Sequence, residues 1–345
     1  MDIFYDELIS NLLFAPDYLP DVVLWYKSQP KVDGHISWES ARKILTVLSY
    51  PCWRKFLQAY VRPCELTGED LVAAEYKLLT ETGLARIESV KILGTAGKGY
   101  NLYMTDAARE LMSSHDPFLL DQEKRRRSLI HLFAAAAVNA YGVIEKKAFI
   151  DIFNGYRKTP AEEDFGGRQG SFEPLSPDEL EEALLPYTEL HVDVLLSGDY
   201  LMSRLVDSLP KFLSTVSPGE YHPFGREAFL KYSDPEYFEM TPEIANFLWL
   251  MDEHFPEMTD GEKKLIGLLF SPSYLSDWSQ MIEVELCPML KDLPEEEQGK
   301  MAEAFIEAKR SARSWRFRGF SEEAALKGEG FEEDVREFMR ALEEC

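Results

Sequence analysis

Few residues in this 345-residue chain stand at spacings that do chemistry. The run Gly94-Thr95-Ala96-Gly97-Lys98-Gly99 invites comparison with a phosphate cradle. Such a cradle needs a strand before the glycines and a helix N-terminus directly after them, so that backbone N–H groups and the helix dipole converge on the anion. Here a strand-like run, "YNLYMT", follows the glycines, and neither the Walker nor the Gly-x-Gly-x-x-Gly spacing is present. The run reads as a hairpin tip. The six histidines, His35, His115, His131, His191, His222 and His254, make no His-x-x-x-His or His-Glu-x-x-His pair, which is the spacing that puts two imidazoles on one helical face for a metal. His131 lies in an apolar helical run and reads as a hydrogen-bonded core residue. Cys52, Cys64, Cys287 and Cys345 form no Cys-x-x-Cys pair, so neither a zinc site nor a disulfide framework is expected. No Gly-x-Ser-x-Gly elbow marks a hydrolase nucleophile. The acids Glu181-Glu182 and Glu295-Glu296-Glu297 are sequence neighbours, and they read as solvated helix faces rather than an acid–base pair. No catalytic, cofactor-binding or metal-binding residue is singled out, and the expectation is a protein that is not an enzyme and has no cofactor.

The remaining chemistry is cationic. "EKRRRS" sets Lys124, Arg125, Arg126 and Arg127 in succession. On a helix, consecutive residues spread around the axis, so they form a collar rather than one face. "KRSARSWRFRGF" interleaves Lys309, Arg310, Arg313, Arg316 and Arg318 with Trp315 and Phe317. Cations alternating with aromatics can hold phosphates and stack on bases. They can equally dock on an acidic protein surface, with Trp315 and Phe317 as apolar anchors. Lys91 and Lys98 add two cations beside the glycine-rich tip.

These residues need elements to position them. "SWESARKILTVL" and "WRKFLQAYV" carry apolar residues at helical spacing. "LTGEDLVAAEYKLLTETG" reads as a third helix, opened by a Thr67/Asp70 capping box and closed by Gly83. "LARIESVKIL" and "YNLYMT" read as two strands around the glycines, and Thr105 caps a further helix, "DAARELMSS". This order resembles a winged-helix domain over roughly residues 37–113, most of all in "LLTETGLARIE" leading to "YNLYMTDAAREL". A second, similar unit follows. "SLIHLFAAAAVNAYG" is helical and closed by Gly142. "VIEKKAFIDIFNGY" passes from strand to helix. "LSPDELEEALLPY" starts on Ser176, and "HVDVLLSGDYLMS" is a hairpin turning at Ser197-Gly198-Asp199. Residues 128–240 also resemble a set of uncharacterised bacterial proteins, through "NAYGVIEKKAFIDIFN" and "FGREAFLKYSDPEYFEMTPE". Relatives in that set often carry a metal-binding tail. With no cysteine cluster here, the resemblance implies architecture and no reaction.

The expected fold is therefore α+β and predominantly α-helical, with two winged-helix-like units followed by a helical C-terminal domain. The expected segments are an N-terminal helical segment (1–36), the first unit (37–120), the second (121–240) with a loop insert near 157–175, and the helical domain (241–345). No apolar run spans a bilayer, and the start lacks a basic leader. A cytoplasmic protein with no membrane partner is expected.

A winged helix implies duplex DNA read by its third helix, which makes charge decisive. The chain carries a formal −24, divided as −4, −8 and −12 over residues 1–120, 121–240 and 241–345. The first third helix offers Glu69, Asp70, Glu75 and Glu81 against Lys77; the second offers Asp178, Glu179, Glu181 and Glu182 with no cation. Such helices repel phosphate, whose binding depends on cations and counterion release. The favoured expectation is an interaction or regulatory protein with a protein partner. The alternative is a nucleic-acid partner: a DNA-binding regulator using Lys91, Lys98 and the two Arg-rich patches.

Overall fold

The computed structural model describes residues 28, 31–32, 35–91, 98–156, 173–189, 193–272, 286–326 and 330–344. Most of the N-terminal segment, the tip at 92–97, most of the insert at 157–172, and the stretch 273–285 lie outside the described residues. The architecture is predominantly helical with small three-stranded sheets, an α+β fold. The chain divides into two compact units: residues 1–134 with 145–204, and residues 135–144 with 205–345. The boundary expected near residue 120 falls inside one helix, Pro117–Tyr141.

In the first unit, the short pair β1 (Lys31–Val32) and β2 (His35–Ile36) precedes α1 (Trp38–Val47) and α2 (Tyr50–Val61). Ser37 and Ser49 cap the two helices through their hydroxyls, satisfying first-turn N–H groups. Strand β3 (Cys64–Leu66) follows. The single third helix expected from Thr67 to Gly83 is two helices, α3 (Gly68–Val72) and α4 (Ala74–Glu81), separated where Ala73 turns extended (ψ 130°). The expected Thr67/Asp70 capping box opens α3. The break starts a new helix with Glu75 in its first turn, where the helix dipole favours a carboxylate. Gly83 ends α4 with φ +72°. Strands β4 (Ala85–Lys91) and β5 (Lys98–Met104) pair antiparallel from Ala85↔Met104 to Lys91↔Lys98, in the sheet order β3-β5-β4. Thr105 caps α5 (Asp106–Met112). Ile44, Phe56, Leu78, Leu79 and Leu102 are fully buried and form the apolar interior of these elements.

Helix α6 (Pro117–Tyr141) is 25 residues long. It is uninterrupted because Pro117 occupies the first turn, where its missing N–H costs nothing, and no Gly or Pro follows until Gly142. The "EKRRRS" run thus lies inside a helix. After β6 (Val143–Glu145) come α7 (Lys146–Tyr156), α8 (Pro177–Glu189), and the hairpin β7 (Val194–Ser197) and β8 (Tyr200–Ser203), turning at Gly198 with φ +57°.

In the second unit, Gly142 ends α6 at φ +74°, and a Cβ there would stand 2.6 Å from both Phe212 Cζ and Trp315 Cδ2. Helices α9 (Leu209–Thr215) and α10 (Arg226–Lys231) precede a stretch whose described helices are α11 (Pro242–His254), α12 (Asp260–Leu268), α13 (Cys287–Leu290), α14 (Glu295–Ser311), α15 (Glu322–Leu326) and α16 (Phe331–Glu344). Its core packs aromatic rings edge to face and tilted. Phe305 lies 5.4 Å from Phe247 and 5.3 Å from Phe338, centroid to centroid. A 3₁₀ turn, Trp315–Phe317, joins α14 to α15 and closes on Arg318, whose φ of +52° is unusual for a side-chain-bearing residue.

Candidate functional site

The four collar residues of α6 reach four different sets of partners, all within the first unit. Lys124 is buried and donates to the carbonyls of Thr46 and Leu48. These are orphan acceptors at the C-terminal end of α1, and a cation suits that end of the dipole. The Tyr187 hydroxyl donates to the same Thr46 carbonyl at 3.0 Å. Arg125 lies over the Tyr50 ring at 5.4 Å. Arg126 grips both carboxylate oxygens of Glu179, at 2.7 and 3.0 Å, and the Glu173 carbonyl at 2.9 Å. Arg127 pairs with Glu123 at 2.9 Å and Glu182 at 2.6 Å. It also donates to the Glu182 backbone carbonyl at 3.1 Å. That carbonyl is four residues before Pro186, inside α8, which has no N–H to give it. The arginine supplies the donor that the proline removes.

The acids expected to make α8 repulsive are thus largely engaged. Glu179 and Glu182 hold the collar, and Glu181 accepts from Lys146 at 2.6 Å. The same holds in α3 and α4. Asp70 is held by Thr67 and Lys55. Glu75 is buried, accepting from the Ser49 N–H and, at 2.8 Å, its hydroxyl. The side chain of Glu69 lies outside the described residues. Sequence reading missed this pairing, which joins residues some fifty positions apart, as in Arg126 and Glu179 (53 apart). A cavity of about 170 Å³ lies among Glu123, Arg126, Arg127, Ile130, Glu179, Glu182 and Ala183.

Burial lowers the Lys124 ammonium to about 7 from its ordinary 10.5, against the opposing pull of Glu75. Burial also raises the Glu75 carboxyl. Between pH 7 and 10.5 the unfolded chain holds a proton on this lysine that the folded chain has lost, so this group's contribution to stability rises with pH across that window. Lys124→Met removes that contribution. Urea unfolding at pH 7 and pH 9 is expected to show the parent gaining on the variant by about 1 kcal/mol per pH unit; an equal pH dependence in both contradicts the assignment.

The second Arg-rich patch lies in the second unit. Arg310 is buried, pairs with Asp334 at 3.3 Å and lies 5.8 Å from the Phe331 ring. Arg313 pairs with Glu239 at 2.6 Å over the Phe224 ring. Arg318 donates to the Ser217 carbonyl and lies 4.7 Å over Tyr221. Trp315 is 2% exposed and donates through Nε1 to the Asn139 carbonyl at 2.7 Å; Phe317 is 7% exposed. Expected as apolar anchors for a partner, both rings are buried within their own unit, where the indole N–H finds an acceptor. Arg316 is exposed, with its guanidinium over Phe317. Lys91 and Lys98 are exposed and directly opposed in the last pair of the β4–β5 hairpin before residues 92–97.

His131 is buried as expected, but it stacks on Tyr187 at 3.7 Å, and its Nε2 stands 3.5 Å from Asp193 without a hydrogen bond. Among the described residues, no group of His, Cys, Asp and Glu is arranged to hold a metal ion, and no helix is long and apolar enough to cross a membrane. Cys52 and Cys64 are buried free thiols, and the Cys287 side chain and Cys345 lie outside the described residues. No protein-family model, curated protein or solved structure matches the chain.

Proposed function

We propose that this chain is a non-enzymatic interaction or regulatory protein whose helix-and-hairpin modules are winged-helix-like and whose partner is a protein. One observation carries the reading. The cations that a DNA-binding protein of this kind would present are occupied internally: Lys124, Arg125, Arg126, Arg127, Arg310, Arg313 and Arg318 all hold partners of their own chain. A guanidinium already shared with a carboxylate releases few counterions on meeting phosphate. Large apolar side chains do remain exposed, among them Phe118 at 66% and Leu119 at 60% on α6, and Trp249 at 60% on α11. Exposed tryptophan and phenylalanine are the residue types that anchor protein interfaces.

A test is affinity capture with the full chain and two surface variants, Trp249→Glu and Phe118→Asp, each checked for unchanged melting temperature. The expected result is a specific protein recovered by the parent and lost from at least one variant. Recovery of background alone by the parent, or equal recovery by all three, overturns the reading.

The alternative, duplex binding through Lys91 and Lys98, is supported by their exposure on adjacent strands. Two lysines give a shallow salt dependence, with a slope of about −2 in log K against log salt.

A further inference from the structure

The second unit carries a groove of about 640 Å³ formed by residues 205–216 and the turn that holds Trp315 and Arg316. Its volume lies within the range of small-molecule sites, roughly 300–1,000 Å³. The two walls are tied together, so the groove exists before any ligand arrives. Phe212 meets Trp315 edge to face at 6.0 Å, the Ser217 N–H donates to the Arg316 carbonyl at 2.8 Å, and Arg318 Nε donates to the Ser217 carbonyl at 3.2 Å.

The lining divides by chemistry. Leu205, Phe212 and Val216 give apolar surface, with Leu205 57% exposed, while Val206 and Trp315 border the groove but are themselves buried. Lys211 and Arg316 line the same groove, both are exposed, and neither forms an ion pair among the described residues. This contrasts with Arg310 and Arg313 of the same patch, which are paired with Asp334 and Glu239. Asp207 also lines the groove and is exposed. The hydroxyls of Ser214 and Thr215 donate to backbone carbonyls of their own helix, which leaves their lone pairs as acceptors.

We propose that this groove is a binding site for a small amphipathic anion: an apolar body on Leu205, Phe212 and Val216, with a single carboxylate on Lys211 and Arg316. Two cations against one Asp207 select a monoanion over a dianion, since each added negative charge meets that carboxylate. Charge-assisted hydrogen bonds to a carboxylate are the strongest polar contacts the lining offers. The site is independent of the proposed protein partner.

The test is calorimetric titration of the full chain with decanoate below its micelle concentration, alongside decanol and decyltrimethylammonium. Decanoate is expected to bind one to one and to be preferred over both by tenfold or more. Arg316→Glu and Lys211→Glu are each expected to weaken it about tenfold or more, and Asp207→Asn to tighten it. All three side chains are exposed, so melting temperatures should stay unchanged. No detectable decanoate binding, equal affinity for the cationic amphiphile, or indifference to all three substitutions overturns the proposal.

Discussion

Replacing Trp315 with alanine is expected to cost the unit of residues 135–144 and 205–345 about 3–5 kcal/mol, the range for a buried large aromatic. Three contacts fail together. The indole is almost wholly buried, its N–H satisfies the Asn139 carbonyl at 2.7 Å, and its ring closes over Gly142. The close approach depends on the glycine. At φ +74° an L side chain is strained, and a methyl there would also lie 2.6 Å from the ring. Gly142→Ala should therefore be destabilising although it adds one carbon. Trp315→Phe keeps most of the apolar area but strands the carbonyl, at about 1–3 kcal/mol. Denaturant unfolding measures all three. A Trp315→Ala loss below about 1 kcal/mol means that the turn is not anchored as described. Loss of a partner on changing Trp315 or Phe317 would report on folding rather than on a contact surface.

The second large effect is expected at Arg126. Its side chain is 14% exposed and that of Glu179 is 36% exposed. Arg126→Glu sets two carboxylates in the place of a bidentate pair. The cost should be about 2–4 kcal/mol, below the full range for breaking a buried pair because Glu179 keeps part of its hydration. The double exchange Arg126→Glu with Glu179→Arg should recover a substantial part, giving a coupling of about 1–3 kcal/mol in a double-mutant cycle. Strictly additive losses would mean that the two helices α6 and α8 are held by apolar packing alone. Arg127→Met would add a separate loss of about 1–3 kcal/mol by stranding the Glu182 carbonyl above Pro186.

Local chemistry was legible in the sequence. Gly83, Gly142 and Gly198 all take the positive φ that their positions after helices or within a turn imply. The Thr67/Asp70 box, the Thr105 cap and the order of helices and hairpins were readable for the same reason, because each is decided by neighbours within four residues. What depends on distant residues was not. Ala73 gives no local sign of breaking a helix, and the acids on α4 and α8 gave no sign of their distant cations. The Trp315 acceptor stands 176 positions away. Charge counted along the chain therefore made the two helices look like open acidic faces, whereas much of that charge is met by Lys55, Lys146, Arg126 and Arg127. Doubt about groove entry persists on a different ground: most cations of the two Arg-rich runs already hold partners of their own chain.

That ground is tested most directly by fluorescence anisotropy of a labelled mixed-sequence duplex, titrated with the full chain from about 50 to 200 mM salt, the interval over which a protein making many phosphate contacts loses orders of magnitude in affinity. Internal engagement of the arginines predicts no saturable binding tighter than about 10⁻⁴ M at the low-salt end, and a slope no steeper than the two hairpin lysines can give. Submicromolar binding with a steep salt slope, abolished by reversing Arg125 and Arg126, would contradict it.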